Sequence, residues 1–135
     1  MNGVIVVRSL LVGDTGVTAL VPVARITAGM LPQGTELPAI SVMSVSSADR
    51  NIPAPGLKRR VTERVQVTVL ARTYPEAKTL IAAVRAAAAD QMPAIGGLTD
   101  ITVHTDSAGP DFLDEETGIH MQTQDLRVSF NEARP

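Results

Sequence analysis

Five carboxylates in one short segment are the residues whose types could most readily do chemistry. They are Asp106, Asp111, Asp114, Glu115 and Glu116. A calcium site is the chemistry such a group could supply, because Ca²⁺ prefers carboxylate oxygens. An EF-hand loop, however, needs ligands at alternating positions, a central glycine and a terminal glutamate, and this spacing does not provide them. We therefore interpret residues 106–118 as a solvated loop and predict no metal site.

A second charged group flanks a segment with two prolines, Pro53 and Pro55. Its members are Asp49, Arg50, Lys58, Arg59 and Arg60. One interpretation is that these charges keep a hairpin tip soluble and prevent edge-to-edge pairing. The other is that they contact a neighbouring protein or a phosphate backbone.

Catalytic patterns do not occur in the sequence. The two histidines, His104 and His120, are not part of an HExxH pair, and the chain has no cysteine. No GxxxxGK[ST], GxGxxG or GxSxG string is present. We expect no enzyme, no catalytic residue and no bound cofactor.

Composition limits the kinds of protein that this chain can be. The 135 residues are 44% hydrophobic, which fits one domain with its own core. Aromatic residues make up 2% and the formal net charge is −2, which argues against a general nucleic-acid binder. The apolar start is interrupted by Arg8 and is too short for a bilayer, so we expect no export signal and no membrane span.

The elements that must position these charges centre on residues 58–90. From Val61 to Leu70 apolar and polar residues alternate, which is typical of a half-buried strand in which Glu63 is the one polar residue on the apolar face. Thr73 and Glu76 then form a capping box with Pro75 in the first turn of an amphipathic helix.

Weaker signals surround this strand and helix. Residues 3–12 fit a strand or a helix, and we predict two short N-terminal helices with Asp14 capping the second. A short extended piece at Arg25-Ile26 is followed by a surface connection, residues 29–38. Three further strands are predicted, beginning at Ala39, Ile101 and Ile119. The last strand changes face midway, which predicts either a bulge near residues 123–125 or a bend around a neighbouring element. Residues 131–135 are predicted to be a short polar tail.

Together these elements predict an α+β fold in a single domain, residues 1–135. A four-stranded antiparallel or mixed sheet is covered by a long helix and the short N-terminal helices. The segments 48–60 and 106–118 are expected to project from this body as loops.

The order of these features resembles the tail completion proteins of long-tailed bacteriophages, which are grouped with tail terminators and tail-to-head joining proteins. The resemblance covers almost the whole chain. The matching segments are RSLLVGDTGVTALV (8–21), LPQGTELPAISV (31–42), RVQVTVLARTYPEAKTLIAAVRAA (64–87) and DEETGIHMQTQDLRV (114–128).

The resemblance implies a structural virion protein that forms a ring, usually a hexamer, at the head-proximal end of the tail tube. Its partners would be other copies of itself, the tail tube protein and the head-tail connector protein, with DNA passing through the lumen without specific binding. It would assemble in the host cytoplasm. The two charged groups, apart from Asp106, are our candidates for subunit or partner contacts, and deleting residues 51–56 is expected to impair assembly.

Two alternatives remain open at the level of sequence. The first is another neck protein, either a head completion protein or a head-tail connector subunit. The second is a small-ligand-binding regulatory α+β domain, which would need a pocket with converging polar groups.

Overall fold

The chain begins with two helices, as the sequence predicts. The computed structural model describes residues 2–50 and 56–134. Helix α1 (Asn2–Val12) buries Val4, Val7 and Leu11 on one face, so helical spacing prevails over the β-branched run. Helix α2 (Thr15–Thr18) is capped by Asp14, whose carboxylate accepts from the Val17 amide at 3.0 Å. A single 3-10 turn, Val23–Arg25, leads into the sheet.

Six strands form one mixed sheet, and the prediction of four strands was therefore too low. They are β1 (Ile26–Ala28), β2 (Ala39–Asp49), β3 (Lys58–Ala71), β4 (Thr99–Ala108), β5 (Phe112–Asp114) and β6 (Ile119–Ala133). The order is β1-β2-β3-β6-β4, with β5 also paired to β6. Among the strand pairs of the described residues, only β1–β2 is parallel. Strand β1 begins in the short extended piece predicted at Arg25-Ile26, which was not counted as a strand, and β5 was not predicted; each has three residues, too few to show a periodicity.

Strands extend into three segments that were predicted to be loops or a tail. Residues 48–60 were expected to be a loop, but β2 continues to Asp49 and β3 starts at Lys58; residues 51–55 lie outside the described part. In the predicted loop 106–118, β4 reaches Ala108 and β5 follows. The predicted polar tail is largely the end of β6. Cross-strand hydrogen bonds extend these strands where side-chain alternation had faded.

The bulge predicted within residues 123–125 is also wrong. Strands β3 and β6 pair without interruption from Lys58 opposite Ala133 to Ala71 opposite His120. The register shift closest to these residues lies in β4, between Thr105 and Ala108, which pair with Leu126 and Gln124. β6 changes its apolar phase because the helix-facing positions near its start are polar and bond to the helix above them.

Helix α3 (Tyr74–Ala88) begins at the predicted cap. The Thr73 hydroxyl accepts from the Glu76 amide at 3.3 Å. The Glu76 carboxylate accepts from the Arg72 amide at 3.0 Å, not from the Thr73 amide that the capping box predicts. Leu80, Ile81 and Val84 are buried on the face that packs against the sheet.

The core lies between the helices and one face of the sheet. Strand β3 buries Val61, Val65, Val67 and Val69 on this face. Strand β6 adds Leu126, Val128 and Phe130. The alternate residues of β3, including Arg64 and Gln66, lie on the opposite face. Among the described residues no helix packs against that opposite face.

Candidate functional site

The charged residues at the β2–β3 end of the sheet do not behave as one group. Arg59 is 25% exposed and bonds Asp49 at 3.0 Å and Glu132 at 2.8 Å. Since Asp49 belongs to β2 and Glu132 to β6, Arg59 connects three neighbouring strands. Asp49 and Arg59, both candidates for partner contacts, are thus engaged within the subunit.

Arg60 is also engaged, whereas two other basic residues are not. Its guanidinium donates to the Asp100 carbonyl at 2.6 Å and to Asn131 Oδ1 at 3.4 Å. Arg50 and Lys58 are exposed at the same end of the sheet. Within residues 2–50 and 56–134 neither side chain has an ion pair, so both remain accessible to a partner.

Asp111 anchors the β4–β5 connection to α3. Its carboxylate accepts from the Lys78 ammonium and from the Tyr74 hydroxyl, the latter at 2.8 Å. The hydrogen bonds from Lys78 and then Tyr74 lower the pKa of Asp111 below its ordinary value, and the same bond to Asp111 raises the pKa of Lys78. Asp111 is therefore an internal tether between loop and helix.

The three remaining acidic candidates lie around the β5–β6 turn. Asp114 is half-buried and its Oδ1 accepts from the Glu116 amide at 3.1 Å, which shapes the turn. Glu115 and Glu116 are exposed, and neither has an ion pair in the described part of the chain. Of the nine predicted contact residues, two acids here, Glu115 and Glu116, and two bases at the opposite end, Arg50 and Lys58, have neither an ion pair nor a side-chain hydrogen bond among the described residues.

Sequence reasoning missed a polar network on the uncovered face of the sheet. Asp125 is 6% exposed and accepts from Arg64 Nε at 2.8 Å and from Gln66 Nε2 at 3.1 Å. Asp106 lies 3.9 Å from Arg64 and 3.7 Å from Arg127. The alternating polar residues of β3 were the one sequence signal for this network. The acids that complete it, Asp106 and Asp125, follow Arg64 by about 40 to 60 positions, and the sequence pattern does not show that they lie beside it.

A second missed network lies between α3 and the start of β6. Arg85 Nη1 donates to Gln124 Oε1 at 2.6 Å, and Lys78 donates to Gln122 Oε1 at 3.0 Å. The Gln124 side-chain nitrogen, Nε2, also donates to the Asp125 backbone carbonyl at 2.9 Å. Because Gln124 is fully buried, these bonds satisfy polar atoms that would otherwise be costly in the core.

Each of the two histidines contacts another side chain of the subunit. His104 Nδ1 lies 2.9 Å from Asp90 Oδ1, and the His120 ring packs edge-on against Tyr74 at 6.2 Å between centroids. In the part of the chain that the structure describes, no group of three or more His, Asp or Glu residues is arranged to hold a metal ion. None of the helices there is long and apolar enough to cross a membrane.

Comparison with known proteins identifies the family. The model of the family described as tail completion protein gp17 matches residues 6–130. The fold is similar to that of a chain in the virion of a native gene transfer agent (GTA) particle, with a TM-score of 0.73 and 18% identity over 93% of this chain and 91% of that one. No curated protein sequence matches significantly. Because the family model spans nearly the whole chain and the fold agrees over the same length, this protein belongs to the tail completion protein gp17 family.

Proposed function

We propose that this phage tail protein forms a closed homo-hexameric ring at the head-proximal end of the tail, where it ends the tail tube and joins it to the head connector. The observation that carries this proposal is the family match over residues 6–130. In this role the protein assembles in the host cytoplasm and remains in the virion. It acts by binding rather than by catalysis, and it uses no cofactor.

The layout of the subunit supports a ring. Each subunit of a closed ring commits two different surfaces to its two neighbours. Here the helices cover one face of the sheet. The four candidate charges whose side chains have neither an ion pair nor a hydrogen bond in the described residues lie at opposite ends of it: Arg50 and Lys58 at one, Glu115 and Glu116 at the other. Such a subunit offers two chemically distinct surfaces.

The charge distribution supports a lumen through which DNA passes without specific binding. The formal net charge is −2. On the uncovered face of the sheet, Arg64 and Arg127 lie near carboxylates and Arg60 donates to a carbonyl. Binding to a phosphate backbone depends on cations that are available to replace counterions. Because these arginines already bond other groups of the subunit, they are less available to bind phosphates.

The test is the native mass of the purified protein, alone and mixed with its tail tube protein, with negative-stain images of the same samples. The expected result is a closed ring of six copies, or a cap at one end of short tubes. Monomers that leave tube length unchanged would contradict the proposal. Rings that bind the connector protein but ignore the tube would instead identify another neck protein.

A further inference from the structure

The outer edge of β2 is unpaired over most of its length. Strand β1 pairs only with residues 40–42, and the Gly29 amide makes the last contact on this side, to the Val42 carbonyl at 2.8 Å. All residues from Met43 to Asp49 are exposed. Within the described chain no other strand pairs with this edge. Its backbone donors and acceptors are therefore available to a partner.

Apolar side chains accompany this free edge. Met43 is 41% exposed and Val45 is 53% exposed. A shallow, mostly apolar groove of about 280 Å³ runs beside Met43 and is also lined by Val4 and Ala28. We call this region the β2 surface, and we include in it Arg50 and Lys58, which have no ion pair among the described residues. Its members are Met43, Val45, Arg50 and Lys58.

A region of similar apolar character and opposite charge lies around β5. Phe112 is 56% exposed and Leu113 is 46% exposed. A shallow apolar groove of about 250 Å³ passes beside Phe112 and Met121. The turn that follows β5 carries the two free acids. The members of this β5 surface are Phe112, Leu113, Glu115 and Glu116.

The two surfaces lie on opposite margins of the sheet. Strand β2 is next to the β1 margin, whereas β5 pairs with β6 on the side away from β3. Their charged residues also lie toward opposite ends of the strands, because Lys58 pairs with Ala133 and Ala71 pairs with His120. Thirteen steps along such a strand span about 45 Å. One subunit therefore cannot bring its own two surfaces together.

We infer that, in the proposed ring, the β2 surface of one subunit binds the β5 surface of the next copy. The occupant is a second copy because the charges are complementary, with cations on one surface and carboxylates on the other, around exposed apolar side chains on each. An apolar centre with a charged rim is the usual anatomy of a protein interface. Oppositely charged rims favour this pairing and disfavour contact between two like surfaces.

The contact is heterologous, since each surface binds a different one. Heterologous contacts close into a ring when the rotation between neighbours is a simple fraction of a turn. This arrangement rests on the ring of the proposed function and specifies its subunit interface.

Charge reversal tests the inference. Variant one carries Arg50→Glu and Lys58→Glu, variant two carries Glu115→Lys and Glu116→Lys, and variant three combines all four changes. The readout is the fraction of protein in rings, measured by native mass over a dilution series with and without tail tube protein. Variants one and two are expected to need at least tenfold more protein to form rings, and variant three is expected to recover. The control Glu36→Lys reverses an exposed charge outside both surfaces. It loses only the exposed ion pair with Arg25 at 3.2 Å, which contributes little to stability, and it should assemble normally.

Mixing provides a second readout. A one-to-one mixture of variants one and two can alternate around a ring, so that every contact again joins opposite charges. Restored rings in the mixture would support the contact and an even copy number; recovery of variant three alone would support the contact with an odd number. Normal rings from variants one and two, or no recovery in variant three, would overturn the inference while leaving the ring intact. Absence of rings from the wild-type protein would overturn both the inference and the proposed function.

Discussion

The Gly3 amide donates to Glu63 Oε1 at 3.2 Å, and a Cβ atom on Gly3 would lie 2.7 Å from Glu63 Cδ. This contact joins the first turn of α1 to the centre of β3. Glu63 is 1% exposed, so its carboxylate has little room to move aside. The polar residue that interrupts the apolar face of β3 thus receives the start of the N-terminal helix, and glycine permits the approach.

Gly3→Ala is expected to destabilise the fold, because the new methyl group would overlap Glu63 and press on Val65 at 3.0 Å. Overpacking of this kind costs about 1 to 3 kcal/mol in the free energy of unfolding. Urea denaturation would measure it. Gly96→Ala is the control, since a Cβ there meets nothing within 4 Å. Equal unfolding midpoints for the two variants would contradict the assigned close contact.

Asp125→Ala is expected to lower the free energy of unfolding by about 1 to 3 kcal/mol, because it removes a buried carboxylate that accepts hydrogen bonds from Arg64 and Gln66. The matched control is Asp106→Ala. That carboxylate is 31% exposed and lies 3.7 Å or more from its arginine partners, so its loss should cost less than about 1 kcal/mol. Chemical denaturation of both variants would compare them, and similar losses would show that burial of Asp125 adds nothing.

The Lys78–Asp111 pair is expected to stabilise the fold only between its two titrations. The hydrogen bond from Lys78, followed by that from Tyr74, lowers the folded pKa of Asp111 below 3.8. Its contribution is therefore present above that pH and is lost as the pH falls through the lower folded value. The hydrogen bond to Asp111 raises the pKa of Lys78 above 10.5, so that contribution is lost as the pH rises through the higher folded value.

A double-mutant cycle with Lys78→Met and Asp111→Asn would measure this dependence. The coupling between the two sites should be constant from about pH 5 to 9 and should decline outside that range. It should also be small and sensitive to salt, because the two side chains are 38% and 46% exposed. A coupling that peaks at either extreme of pH would be inconsistent with the pair.

The two phenylalanines are expected to respond very differently to truncation. Phe130 is 1% exposed in the core, and Phe130→Ala should cost about 3 to 5 kcal/mol. Phe112 is 56% exposed, and Phe112→Ala should change the stability of the monomer by no more than about 0.5 kcal/mol. Thermal denaturation at low protein concentration would separate the two. A large loss from Phe112→Ala would show that β5 is part of the folding core.

Much of the fold was predictable from local signals. The alternation from Val61 to Leu70 and the cap at Thr73 predicted β3 and α3, and both are present. Strand β5 was not predictable and β1 was recognised only as a short extended piece at Arg25-Ile26, because three residues cannot show a period. The apparent bulge in β6 was misread because polar residues on a buried face look like a change of face until the side chains that satisfy them are known.

The sequence by itself determined the order of the long elements and the helix caps, because these depend on residues a few positions apart. It also showed the resemblance to a family through matching segments in the same order. Only the tertiary structure decided which charges remain available. Arg59 and Lys58 are neighbours of the same charge, yet Arg59 binds Glu132, which is 73 positions away, and Lys58 has no ion pair among the described residues. The physical reason is strand register: alternate residues point to opposite faces, and the pairing of β3 with β6 determines which distant side chain lies within reach.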